Sequence, residues 1–148
     1  MKFITSDYNS ETGSSTVVVK HLGVIFVGWA DLHPEDKPYG SMYTGCTIAE
    51  IRATIKALRY ELKLAEDEAR YCKSLVNSCT SCKNFNKYSK SSKVLFRQYN
   101  RRVKRVQDIK DEIKDLKEQL NTIIEARNKY IEKKKAIAKE AAKEVNVL

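Results

Sequence analysis

The feature that most constrains this chain is a hydrophobic repeat. From Ile48 onward, Ile51, Ile55, Leu58, Leu62, Ala65, Ala69, Cys72, Val76 and Cys79 recur at alternating steps of three and four. That is an unbroken heptad stripe, the mark of a helix with a narrow apolar seam. Thr47 and Glu50 have the spacing of a capping box and place the helix start there. A second stripe runs through Phe96, Tyr99, Val103, Val106, Ile109, Ile113, Leu116, Leu120, Ile123 and Tyr130, with Ser91 or Ser92 as its cap. The step of three at Val106 to Ile109 departs from strict heptads and predicts local overwinding. No proline follows Pro38. A helix from Lys93 to the early 140s would span roughly 75 Å.

Between the stripes, TSCKNFNKYSKSS supplies turn residues, so the two helices are expected to fold back as an antiparallel coiled-coil hairpin over residues 47–148. Upstream, TVVVK and VIFVGWA flank a short glycine-containing turn and predict a β-hairpin with Phe26 and Trp29 as its anchors. A lone hairpin is marginal in water, so it must lie on helices or pair with strands of another chain. Residues 31–45, with two prolines and two glycines, read as a loop that completes a 16–46 segment forming one domain with the helices. Residues 1–15 are polar and read as a flexible segment holding a short strand at most. The expected fold is therefore mainly α with a small β element. Narrow seams leave Ile124, Ile131 and Ile137 over, which predicts a homo-oligomer, a two-fold dimer in its simplest form and up to a hexamer. Arg127, at a seam position, marks a place where the coil opens or meets a polar partner.

No apolar run reaches the roughly 20 residues a membrane crossing needs, and the N-terminus lacks a signal peptide's pattern. An intracellular protein with reduced thiols is expected. CTSC has ligand-like spacing at Cys79 and Cys82, but His21 and His33 lie far upstream, so no metal or other cofactor is expected. The HPED stretch at 33–36 reads better as a turn than as acid/base chemistry.

Charge localises the functional expectation. The chain has 28 basic and 19 acidic residues, and nine of the basic ones fall within residues 83–105, which hold no acid at all. Outside that stretch the balance is 19 to 19. Lysines and arginines neutralise phosphate, while aromatic faces stack on bases. Arg97, Arg101 and Arg102 are the candidate phosphate ligands, Phe85, Tyr88 and Tyr99 the stacking candidates, and Asn100 a short polar contact. Phe85 and Tyr88 lie outside any seam, whereas Phe96 and Tyr99 serve equally as core. Residues 108–118, DIKDEIKDLKE, then reverse the sign with five acids and three bases. A patch so bounded fits a compact anion better than a long polymer, so nucleic acid is the less favoured partner. A solvated, solubilising helix start is the bland alternative. No glycine-rich phosphate loop, Ser/His/Asp arrangement or paired histidines are present, so binding without catalysis is expected.

Two stretches carry a resemblance: GWADLHPEDKPYGSMYTGCTIAEIRATIKALRYE at 28–61, and LFRQYNRRVKRVQDIKDEI with YIEKKKAI at 95–113 and 130–137. They resemble small proteins of phages infecting Firmicutes, most closely the first-described Thoeris anti-defence family. The resemblance implies a sponge that sequesters the cyclic ADP-ribose signals of bacterial TIR-domain proteins without cleaving them. It also implies oligomers of a small β element and long helices, acting in the host cytoplasm, and in some members separate sites for the cyclic oligonucleotides of CBASS defence. By the same similarity Arg52 and Arg59 would be phosphate ligands; a solvated face with ordinary ion pairs accounts for them equally. The rival expectations are a coiled-coil protein that binds nucleic acid or a nucleic-acid-guided immune complex, an anti-CRISPR role among them, and a structural phage coil that only assembles.

Overall fold

The structure is a computed structural model that describes residues 1–82, 86, 87 and 89–145, the last three by backbone alone. Three strands, β1 (Lys2–Asn9), β2 (Ser14–His21) and β3 (Val24–Ala30), precede a short 3-10 turn at Pro34–Tyr39 and two long helices, α1 (Met42–Thr80) and α2 (Lys90–Val145). The fold is mainly helical with a small antiparallel sheet of order β1-β2-β3. The expected hairpin is β2 and β3. The supposedly flexible N-terminal segment departs from expectation, because Lys2–Asn9 forms a third strand along β2. Asn9 makes that possible: its Oδ1 accepts from the amides of Glu11 at 2.9 Å and Thr12 at 3.1 Å, closing a turn that Gly13 completes at φ 73°.

The β2–β3 connection is the two-residue loop Leu22-Gly23, with φ of 49° and 81°. Both values are left-handed, as a type I′ turn requires. Glycine adopts this freely; Leu22, more than half exposed, does so at a steric cost. Leu22→Asn is expected to stabilise the fold by about 0.5–1 kcal/mol, read as a rise of about 2–4 °C in thermal midpoint.

The chain divides into two compact units: Met1–Ala57 with Leu116–Leu148, and Leu58–Asp115. In the first, the inner face of the sheet packs on the start of α1. Val17, Val19, Ala30, Ile48, Ala49, Ala53 and Ala57 form its core, with Phe26, Leu120, Ile123 and Ile124 against it. The closest approach is at Gly28, where a Cβ would collide with the Ala49 carbonyl oxygen and stand 2.6 Å from the Ala53 nitrogen. Glycine on the strand and alanine at every fourth helix position let the two backbones touch.

Several boundaries and anchors differ from the sequence reading. Helix α1 starts five residues before Thr47, with the Ser41 hydroxyl accepting from the Thr44 amide at 3.4 Å. Thr47 instead donates to the Tyr43 carbonyl inside the helix, at 2.9 Å. The cap of α2 is Ser89, which accepts from the Ser92 amide at 3.1 Å. Trp29 is no core anchor; it points outward, 52% exposed, with the Lys56 ammonium 3.9 Å from its ring centre. Cys79 and Tyr130 leave their seams for solvent, whereas Cys72 is buried as expected. Ile131 is buried and Ile124 lies against the core, so of the three isoleucines expected to await another copy only Ile137 is well exposed.

At Pro34–Tyr39, His33 accepts from the Glu35 amide through Nδ1 at 3.4 Å, the turn role the sequence favoured. Asp36 then meets Lys135 of α2 at 2.5 Å. Its hydrogen bond and charge, with Glu35 and Tyr39 adding theirs, raise the Lys135 pKa above the ordinary 10.5. A raised lysine stabilises the fold fully below its ordinary pKa and loses that contribution as pH climbs through the raised value, so this link loosens only in strong alkali.

Candidate anion-binding site

Within the unit Leu58–Asp115 the helices are antiparallel, since Glu68 of α1 meets Arg102 of α2 while Glu61 meets Arg105. Leu58, Ala65, Cys72, Val76, Ile109 and Ile113 are buried along the seam. This register sorts the cations of the basic stretch into two sets. Arg102, at 3.7 Å from Glu68, and Arg105, hydrogen-bonded to Glu61, are turned toward the acids of α1; Lys110 follows with Glu66 at 2.9 Å. The first two pairings absorb charge that composition alone assigns to a ligand.

The second set is free. Lys90, Lys93, Arg97, Arg101 and Lys104 are all exposed, and their side chains make no ion pair or hydrogen bond among the described residues. Their steps of three, four, four and three keep them on one side of α2. At 1.5 Å per residue the row is about 21 Å long. No acidic residue occurs in the sequence between Lys83 and Gln107, so nothing on α2 itself quenches the row before Asp108. Asn100 is exposed beside it.

The remaining candidates separate. Tyr99 is half-buried on the opposite side of α2, at the seam, so it does not face the row, while Phe96 is half-buried on the row's flank. Arg59 is exposed on α1 within the same unit. Arg52 belongs to the other unit, where its Nη1 donates to the Trp29 carbonyl at 2.6 Å. Phe85 and Tyr88, with Lys83 and Asn84, lie outside the described residues. The arginine flagged in the second seam, Arg127, is half-buried, donates to Asn128 Oδ1 at 3.2 and 3.3 Å, and borders a hollow with Ser41 and Gly45. That hollow has about 10 Å³ of free space, the size of one water and too small for a nucleotide.

What the sequence reading missed is Lys56, which with Arg52 covers the outer edge of β3 by donating to the Val27 carbonyl at 2.7 Å. Four-residue spacing of two long cations beside a hairpin was the available signal. Among the described residues no group of three or more His, Cys, Asp or Glu side chains could hold a metal, and no helix is long and apolar enough to cross a membrane. Comparison with known protein families, with curated proteins and with solved structures finds no match to this chain.

Proposed function

We propose that this protein binds phosphate-bearing nucleotides without turning them over, and that the row from Lys90 to Lys104 is where it meets phosphate. The observation that carries this reading is the row itself: five exposed cations on one helix face, unpaired among the described residues. Cations spent on stability would sit beside carboxylates, as Arg102 and Arg105 do. The sequence resemblance narrows the ligand to a cyclic nucleotide immune signal, a cyclic ADP-ribose isomer or a cyclic oligonucleotide. In this reading the protein is a phage-encoded sponge acting in the host cytoplasm as a homo-oligomer.

One observation favours a second reading. The row is linear and fully exposed over about 21 Å, a shape that suits successive phosphates of a single nucleic-acid strand. Calorimetry against cyclic ADP-ribose isomers, cyclic di- and trinucleotides and a short single strand, repeated from 50 to 500 mM salt, decides between them. A captured cyclic nucleotide uses one or two phosphates and gives a shallow salt dependence. A strand engaging all five cations gives a slope of log K against log salt near −3.5, from about −0.7 per phosphate engaged. Recovery of the intact ligand after heat denaturation of the complex is expected in either case. No binding of any of these ligands at low salt would defeat the proposal.

A further inference from the structure

The two edges of the sheet are treated differently. Along β3 the outward carbonyls of Val27 and Trp29 are occupied by Lys56 and Arg52. Cations laid over a sheet edge block the addition of another strand. Along β1 no such cover exists: the strand is exposed over its length except for half-buried Tyr8, and among the described residues nothing bonds its outer side. It contains no proline, and Phe3 and Ile4 are 50% and 46% exposed. An open edge of this kind is a template for pairing.

The ladder fixes which groups face out. Because Val27 and Trp29 turn their carbonyls away from β2, their partners Val18 and Thr16 turn their main chain toward β1, where they meet Thr5 and Asp7. Ser6 and Tyr8 therefore point their N–H and C=O groups outward. Between Phe3 and Thr5 the register slips at a bulge, so Phe3, opposite Val19, also faces outward. An antiparallel pairing of β1 with itself needs outward residues opposite each other. Placing Phe3 against Ser6 does this twice, and it sets residues whose numbers add to nine face to face. In that register Lys2 stands opposite Asp7, also twice, on the side of the sheet that carries Lys20 and Thr16. Neither Lys2 nor Asp7 has an ion-pair partner among the described residues.

We infer that β1 is the seam of a homodimer, in which two copies join β1 to β1 antiparallel and build one continuous six-stranded sheet. A second copy is the occupant because the edge is its own charge complement: a lysine near one end, an aspartate near the other, and a bulge that brings them into register. The inference stands apart from the ligand proposal, since it concerns only Lys2–Asn9.

Sedimentation equilibrium of the full chain at about 150 mM salt tests it. Wild type is expected at about 34 kDa, twice the protomer's 17.0 kDa. Ser6→Pro removes an N–H the single sheet does not use and is expected to give a folded protomer of 17.0 kDa, with circular dichroism unchanged. Asp7→Lys is expected to raise the dimer's dissociation constant about tenfold or more, and adding Lys2→Asp to restore it. The charge-swapped pair keeps the test valid if Ser6→Pro disturbs the strand. A monomeric wild type, a larger species that Ser6→Pro leaves intact, or a charge swap with no rescue would each overturn the inference.

Discussion

Gly28→Val is expected to cost at least about 3 kcal/mol, a large share of the roughly 5–15 kcal/mol that holds a domain folded, and to lower the thermal midpoint by roughly 10 °C. The reason is geometric. The obstacle at Gly28 is main chain, the Ala49 carbonyl and the Ala53 amide, rather than a side chain that could swing aside. A single methyl group already forces α1 off the sheet, which opens the packing of Val17, Val19, Ile48 and Ala53 and strains the hydrogen bonds from Arg52 and Lys56 to the β3 edge. Gly23→Ala is the informative control. A Cβ at Gly23 meets nothing within 4 Å, so that change carries only the backbone cost of a left-handed φ, about 1 kcal/mol. Urea unfolding followed by circular dichroism should rank Gly28→Val far below Gly23→Ala and wild type. Equal midpoints for the two variants would mean that the helix does not rest on the strand at Gly28.

The close approach at Gly28 also shows where the sequence was legible and where it was not. The long helices were plain, because a seam of Ile, Leu and Val at heptad steps has no other common explanation. The sheet-facing side of α1 was not, because Ala49, Ala53 and Ala57 are small residues that favour helices anywhere and carry little hydrophobic signal. A glycine inside VIFVGWA was a usable clue to close backbone approach. Strand β1 was obscure for a different reason: its residues bury almost nothing, so no alternation appears, and the strand is held through its main chain by β2. Trp29 misled because a large aromatic suggests a core, yet its position on β3 alternates with buried Gly28 and Ala30 and must face out. At the candidate site the composition of the basic stretch was legible. Its division was not, since only the antiparallel register tells which cations meet Glu61, Glu66 and Glu68.

That division makes the second large effect an expected contrast between variants of similar charge change. Replacing Lys93, Arg97 and Arg101 by alanine is expected to weaken nucleotide binding about 100-fold at low salt, at roughly 1 kcal/mol for each cation withdrawn from phosphate. The thermal midpoint should scarcely move, because these side chains are exposed and support nothing among the described residues. Replacing Arg102 and Arg105 removes nearly as much charge but should act the other way round. Each breaks a partly exposed ion pair with α1, worth at most about 1 kcal/mol, and leaves most of the binding in place. Raising salt to 500 mM should shrink the first difference more than the second, since the cations of the row are open to solvent while Glu61 is largely shielded. If both variants bound equally poorly, net charge rather than the row would be the recognition element, and the free face of α2 would have no special part in it. If the Lys93, Arg97 and Arg101 variant bound as wild type does, phosphate would be held elsewhere on the chain, with Arg59 the next cation of the same unit to test.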